Sequence, residues 1–334
     1  MTENASPSTA SQFTSAATQR PAPLISVIIP TFNRAHLIAA TVESALNQDF
    51  TDFEVIVIND GSTDATAQVL AGFGDRIKVI SRENRGLGAS RNLGLQQAAG
   101  KYAALLDDDD LWFPWTLKTY AAAIEQHHSP WLISSIGVEF SDVASLANLH
   151  SAPPRFRFFK DFYASHGPSY WVTPSGALFR IADAQQAGGF FEFNYGQEEN
   201  DLWLRLGDRE GFVIIDAPPC FGRRVHAANI SFFSNRNLLG TMYVLQQEQR
   251  GVYPGGDSRR RERLSILTSH VRGPSLDCIR QNRHREGWKI YRVTFRWHLS
   301  LGRWSYLIAF PFISLASALR RPRKPPSPSS KPQA

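Results

Sequence analysis

Cysteine is nearly missing from this chain of 334 residues: Cys220 and Cys278 stand far apart and form no CxxC pair. That excludes a disulfide framework and a cysteine zinc cluster, and fits a reducing compartment. No apolar run reaches the roughly 20 residues that a membrane-crossing helix needs. The uncharged stretch Trp304–Leu319 has only 16 residues, and Pro311 interrupts it. The opening segment, residues 1–22, has neither a basic cluster nor an apolar core. It is expected to be a disordered leader and not a signal peptide. Also missing is a G-x-G-x-x-G turn after the first apolar run, where Pro30-Thr31-Phe32-Asn33-Arg34 stands instead. The nearest glycine pair, Gly86 and Gly88, meets Arg91 where a third glycine belongs. A dinucleotide-binding oxidoreductase is a poor fit for that reason.

What the chain does contain is 43% hydrophobic and 12% aromatic residues, enough to build a core. Its net charge of +6 is unevenly shared. Residues 250–334 hold 18 Lys/Arg against 4 Asp/Glu, a balance of +14; the totals of 36 and 30 leave 18 against 26, or −8, for residues 1–249. The acidic part suits a cation and the basic part an anionic partner. No recognition motif accompanies the basic charge, so nucleic acid is not expected.

Two periods alternate along the first hundred residues. Leu24 to Pro30 is a β-branched apolar run that reads as a buried strand, and Ile38, Val42, Ala45 and Leu46 follow at helical spacing. Phe53 to Ile58 is a second strand, Asp64 to Ala71 helical, Ile77 to Ile80 a third strand, and Gly86 to Ala99 helical. Tyr102 to Leu106 is a fourth strand that runs into Asp107-Asp108-Asp109-Asp110. Strand–helix alternation with short links predicts an α/β fold, a mostly parallel Rossmann-like sheet flanked by helices. Ligands bind beyond the carboxyl ends of such strands, which singles out Thr31 to Arg34, Asn59 to Ser62 and Asp107 to Asp110. Further strand-like pieces occupy Trp131 to Ile136, Gly176 to Arg180 and Phe212 to Ile215. Leu238 to Gln249 is helical in pattern, and basic helical segments continue to about Leu301.

Four consecutive aspartates are costly unless a cation sits among them, and oxygen ligands suit Mg²⁺ or Mn²⁺. The plainer reading is a solvated loop in which one aspartate caps a helix starting near Pro114. Asp60 in Asn59-Asp60-Gly61-Ser62 is open to a plain reading as a turn residue, Asp64 as a cap for the second helix, and Asn33 as a cap for the first.

These residues resemble the inverting family 2 glycosyltransferases with the GT-A fold. The resemblance rests on Pro30-Thr31-Phe32-Asn33-Arg34, Asn59-Asp60-Gly61-Ser62-Thr63-Asp64, Asn84 to Gly94, and the Asp107–Asp110 run as the family's DxD element. It extends from about Leu24 to Ser231. It implies that Thr31, Phe32 and Arg34 line a nucleotide pocket and that Asp60 accepts a hydrogen bond from the base. Asp107 and Asp108 would face the ribose and sugar, and Asp109 the metal. Arg91 would help to hold the donor, or serve as a structural ion pair. Pro174 to Arg180 resembles an acceptor-side strand, while Phe191 replaces a usual aspartate. Glu198-Glu199 resembles the acidic pair that opens a helix, with Glu199 as the catalytic base and Glu198 and Asp201 as rival carboxylates. A carboxylate there is expected to stay ionised at neutral pH, favoured by the helix dipole. His226 in Arg224-Val225-His226 resembles a position near the metal, with a structural histidine as the alternative.

The chemistry accounts for these residue types. A departing diphosphate needs cationic stabilisation, and the attacking hydroxyl needs a base on the opposite side of the sugar. A glycoside hydrolase would use two carboxylates without metal, and a non-catalytic nucleotide-sugar-binding homologue would explain Glu199 and Phe191 as decay. The resemblance thus implies a nucleotide-diphospho-sugar donor, with UDP the favoured nucleotide, and a hydroxyl acceptor on a glycan or lipid-linked glycan. Transfer should be non-processive: the Q-x-x-R-W element of processive synthases is broken by Val293 before Arg296-Trp297. A role in cell-surface polysaccharide or glycoconjugate assembly, on the cytoplasmic side, follows. The expected division is a GT-A domain at 23–235, a basic helical extension at 236–320, and a disordered tail at 321–334. Trp304 to Leu319 would span about 24 Å as a helix, short of a bilayer core of about 30 Å. With Arg303 before it and Arg320, Arg321, Arg323 and Lys324 after it, it fits peripheral anchoring on an anionic inner leaflet. Packing on the catalytic domain is the plainer alternative.

Overall fold

The computed structural model describes residues 21–166, 172–193, 195–226 and 235–319. The expected tail at 321–334, the arginine Arg320 and nearly all of the expected leader lie outside the described residues. The chain begins β1 (Ile25–Thr31), α1 (Ile38–Leu46), β2 (Phe53–Asn59), α2 (Thr66–Ala71), β3 (Lys78–Ser81), α3 (Leu87–Gln97) and β4 (Tyr102–Leu105). It continues through β5 (Leu111–Trp112), α4 (Thr116–Gln126), β6 (Leu132–Ser135), β7 (Gly137–Phe140), β8 (Arg155–Asp161), β9 (Ala177–Arg180) and α5 (Ile181–Gln186). Next come α6 (Glu198–Arg205), β10 (Glu210–Ala217), β11 (Phe221–Arg224) and α7 (Asn235–Gln249), then α8 (Arg260–Arg280), α9 (His284–Ser300) and α10 (Trp304–Leu319).

Eight strands form one sheet in the order β3-β2-β1-β4-β9-β6-β10-β8. β3, β2, β1 and β4 are mutually parallel, as are β6 and β10, whereas β9 and β8 run antiparallel to their neighbours. This is the mostly parallel, helix-flanked sheet of the GT-A class. A second sheet, β5-β11-β7, stands beside it. The sequence reading did not include it, because strands of two and four residues leave no period to detect.

β1 is buried along its whole length, so alternate residues feed two cores. Ile25, Val27 and Ile29 join Val42 of α1 and Leu117 of α4 on one face, while Ile28 joins Leu95, Trp131 and Trp203 on the other. The second core also takes in Val244 and Leu245 of α7, Leu264 and Leu267 of α8, and Ile290 and Trp297 of α9. The helical extension therefore shares its core with the sheet. Gly94 of α3 permits close approach to β1, since a Cβ there would stand 2.4 Å from Ile28 Cγ2. α10 packs through Tyr306, Leu307 and Phe310 against Ile279 and Tyr291. Among the described residues no helix is long and apolar enough to cross a membrane.

Candidate active site

β2, β1 and β4 lie side by side and parallel, so the polar segments after them emerge at one sheet edge. Thr31 is buried at the end of β1, Phe32 is 43% exposed, and Arg34 sits between the two extremes. Asp108 accepts from the Phe32 amide at 3.3 Å and pairs with Arg34 Nε at 3.4 Å. The β1 loop is thereby tied to the aspartate run. Thr41 Oγ1 of α1 donates to the carbonyls of Asp108 and Asp110, which fixes the run from below.

Each aspartate has its own environment. Asp110 is buried and accepts from Ser175 Oγ at 2.6 Å and from the Arg224 amide at 3.0 Å. It braces β5, β9 and β11 and does not cap α4, whose N-cap is Trp115. Burial pushes Asp108 up to about 7 against the pull of its hydrogen-bond donors. Burial, then the neighbouring Asp107 charge, does the same to Asp110, also to about 7. Asp109 Oδ2 lies 3.0 Å from His226 Nε2, the imidazole arriving just after β11. No cluster of three or more His, Cys, Asp or Glu able to hold a metal occurs among the described residues. Asp109 and His226 could hold an ion only with phosphate and water filling most of its positions, as is usual for Mg²⁺. Carboxylate oxygens and one imidazole, in a crowd of repelling acids, fit such an ion.

Asp60 is buried, and its carboxylate accepts from Arg82 Nε at 2.8 Å and from the amides of Arg85 and Gly86 at 3.0 and 2.8 Å. It clasps the loop entering α3, a role beyond that of a turn residue. Asn33 does not cap α1; with φ at 54° it accepts from the Thr63 amide at 2.8 Å and fastens the β1 loop to the β2 loop.

Arg91 is 1% exposed and joins three carboxylates: Asp107 at 3.2 Å, Glu198 at 2.9 Å and Glu199 at 3.5 Å. Both roles open to it are compatible with this placement: it is ion-paired, and it lines a cavity beside Glu199. Glu198 is itself buried on Arg91, and Asp201 is locked to Arg205 at 2.7 Å and to the Tyr253 hydroxyl at 3.1 Å. Glu199, in the first turn of α6, keeps 17% of its side chain accessible. Burial and the adjacent Glu198 charge push its carboxyl up to about 7, with Arg91 opposing. The expectation of a fully ionised carboxylate is corrected: desolvation outweighs the helix N-terminus. Gln197 at the N-cap adopts left-handed backbone, φ 75°. α7 presses against this turn at Gly240, where a Cβ would stand 1.7 Å from the Gly196 carbonyl.

Two cavities adjoin here. One, of about 390 Å³, is walled by Thr31, Phe32, Arg34, Asp60 and the aspartates. The other, of about 520 Å³, is walled by Arg91, Thr173, Tyr195, Gln197 and Glu199. Asp107, Asp110, Arg223 and Arg236 border both. Arg236, with a buried Nε that lacks a partner, carries no motif in the sequence and was not anticipated. Ser175 and Arg82 were equally unassigned, although Ser175 stands inside Pro174-Ser175-Gly176. Phe191, at the place of a usual aspartate, packs on Tyr243 with centroids 4.7 Å apart.

The family described as "Glycosyl transferase family 2" matches residues 26–185. An uncharacterized glycosyltransferase of Rickettsia prowazekii is 30% identical over 209 residues, 62% of this chain and 65% of that protein. The chain thus spans about 65% of that relative's length. An uncharacterized protein of Mycobacterium tuberculosis is 31% identical over 241 residues, 67% of this chain and 75% of its own length. Among solved structures, Staphylococcus aureus TarS 1–349 with UDP aligns at a TM-score of 0.57 and 21% identity, covering 74% of this chain and 71% of that one. A mannosyltransferase of Pyrobaculum calidifontis with GDP-Man and Mn²⁺ aligns at 0.54 and 16% identity, covering 90% and 87%.

Proposed function

Because the chain belongs to glycosyl transferase family 2, we propose that it transfers a sugar from a UDP-sugar to a hydroxyl acceptor with inversion, one residue per encounter. The observation that carries this reading is the pairing of cavities. One is walled by acids and loops at the strand ends, the other by Glu199, and they meet at Asp107. The nucleotide occupies the first cavity, against Thr31, Phe32 and Arg34. Asp60 Oδ2 accepts only the Gly86 amide among the described contacts, leaving capacity for a base N–H. Asp107 and Asp108 face the ribose and sugar. A divalent Mn²⁺ or Mg²⁺ ion held by Asp109 and His226 would stabilise charge on the departing diphosphate. Arg236, bordering both cavities with an unpartnered Nε, adds a cation to the same place.

The acceptor hydroxyl enters the second cavity, where Glu199 takes its proton. A carboxyl near 7 suits that task, because proton transfer is most efficient when donor and acceptor are matched near the working pH. Arg91 holds the base and Asp107 in one ion-pair group. The acceptor we favour is a glycan or lipid-linked glycan in surface-polymer assembly. TarS structures with UDP and UDP-GlcNAc, and the mannosyltransferase with GDP-Man and Mn²⁺, support a nucleotide-sugar donor and a metal. Two buried free thiols agree with work on the cytoplasmic side. A thermal-shift series with UDP-, GDP- and dTDP-sugars, with and without Mn²⁺, tests the donor. Stabilisation by a UDP-sugar that needs the ion is expected. No shift with any of them would overturn the reading, and binding without turnover on any acceptor would favour a non-catalytic binder.

A further inference from the structure

α10 has an inner face and an outer face. Tyr306, Leu307, Phe310 and Ser314 point into the molecule, while Trp304, Ile308, Phe312, Leu315 and Leu319 are 57%, 59%, 68%, 59% and 75% exposed. Their spacing of four, four, three and four residues makes one continuous outward stripe, on a helix that carries no charge. The neighbouring helix α9 adds exposed Phe295 and Leu299. Phe295 touches Tyr291, which stacks on Phe310 of α10 with centroids 4.6 Å apart, so the two apolar surfaces adjoin.

Beside them runs a groove of about 1140 Å³ between α9 and the start of α8, bordered by Arg260, Arg292, Arg296, Phe295 and Asp257. Arg263 lines it too but is satisfied by Glu248 at 2.8 Å. Among the described residues Arg260, Arg292 and Arg296 have no ion-pair partner. The stripe of α10 and the unpaired arginines of α8 and α9 thus adjoin through α9, whose Phe295 borders the groove and touches Tyr291 beneath α10. The chain beyond Leu319 opens with Arg320-Arg321-Pro322-Arg323-Lys324, which adds charge of the same sign where the stripe ends.

We propose that α9 and α10 form a monotopic binding surface for an anionic lipid bilayer, in which the α8–α9 groove takes lipid phosphates and the α10 stripe enters the acyl boundary. A helix of 16 residues with an interior proline cannot cross a bilayer but can lie along its interface. Trp304 stands at one end of the stripe, and an indole favours the headgroup level. Basic side chains next to the embedded face are attracted by the negative surface potential. The composite of groove and stripe is a lipid site distinct from the sugar-transfer cleft, and it does not depend on the reading of that cleft.

The test is flotation of the full chain with phosphatidylcholine vesicles, with and without phosphatidylglycerol, needing no sugar donor. The wild type should float with the anionic vesicles and far less with the neutral ones. The double variant Phe312→Ser/Leu315→Ser should lose about tenfold or more in partitioning, since exposed side chains that enter the interface contribute through their buried apolar area. Arg292→Gln/Arg296→Gln should lose about tenfold at low salt and little at high salt, because surface attraction is screened. Unchanged melting temperatures would show that both variants fold. The proposal is overturned if the wild type floats with neither vesicle, or if the variants float as well as it does. It is overturned equally if sedimentation shows a dimer that Phe312→Ser/Leu315→Ser splits while vesicles have no effect, since the stripe is then covered by a second copy.

Discussion

The strand-end cleft and the last two helices break opposite rules. In the cleft, charged groups are buried: Asp60, Arg91, Asp110 and Glu198 are each 5% exposed or less. In α10, large apolar groups are exposed, up to 75% at Leu319. Folding alone favours neither arrangement, since burying charge costs free energy and exposing apolar surface forgoes it. The cleft recovers its cost internally, each buried acid having a cation or amide to hold. The outward stripe of α10 recovers nothing within the described structure, although the helix's inner face is packed. Among the described residues the first region satisfies its own charges, while the second leaves its outward stripe uncovered.

The sharpest way to break this comparison is at the aspartates. Asp109→Ala should abolish transfer and the cation dependence of donor binding, with the melting temperature little changed; full activity in excess chelator would refute the metal reading. Next comes the base. Glu199→Gln should lower turnover by about 10²–10⁴-fold, the usual worth of general-base catalysis, and leave donor affinity unchanged. The sign of the pH dependence follows from a carboxyl raised from 4.5 to about 7. The competent base accumulates as pH rises through about 7, so kcat/KM should climb there and Glu199→Gln should flatten the climb. Stability runs the other way: between 4.5 and about 7 the folded state holds a proton that the unfolded chain has lost, so this contribution falls as pH rises.

Smaller still, in stability, are the ion pairs. Glu198→Gln removes the shortest of Arg91's three ion pairs and should cost about 1.5–3 kcal/mol, the usual worth of a hydrogen bond to a charged group, with Asp107 and Glu199 still in place. In urea unfolding that would appear as a lower midpoint; an unchanged midpoint would show the cleft to be less dependent on its pairs than described. The smallest change belongs to the outer helix, where Phe312→Ser should alter the melting temperature hardly at all, within about 0.5 kcal/mol for an outward position. A large destabilisation there would mean that α10 is packed against something after all, and the contrast between the regions would fail.

Much of the cleft was legible because its side chains follow strands with a clear period. The periods place β1, β2 and β4 within about one residue, and the polar segments after them stand out from the pattern alone. What stayed illegible depends on partners far apart in the chain. Arg91 meets Asp107 and Glu198 across 16 and 107 residues, so no local pattern decides between donor contact and ion pair. The raised Glu199 carboxyl depends on that same burial, which overrode the local expectation from its helix position. Asp110 looked like its three neighbours and became a brace only because Ser175 and Arg224 converge on it. The exposure of the Trp304–Leu319 stripe was equally hidden, since an uncharged run reads the same packed or bare.

The small sheet bears on the proposed ion site. β5 begins two residues after Asp109 and β11 ends two residues before His226, and the two strands are zipped Leu111 to Gly222 and Trp112 to Phe221. The Arg224 amide bonds to the Asp110 carboxylate and closes the same seam. The proposed ligands are thus the two tips of a calliper whose hinge is a hydrogen-bonded ladder. Each tip stands two residues beyond the ladder, so the register of β5 on β11 fixes where the two tips start, in whole-residue steps. A one-residue insertion between Arg224 and His226 would reset the imidazole tip without touching the ladder. The preference between a smaller and a larger divalent ion should then change in a single step.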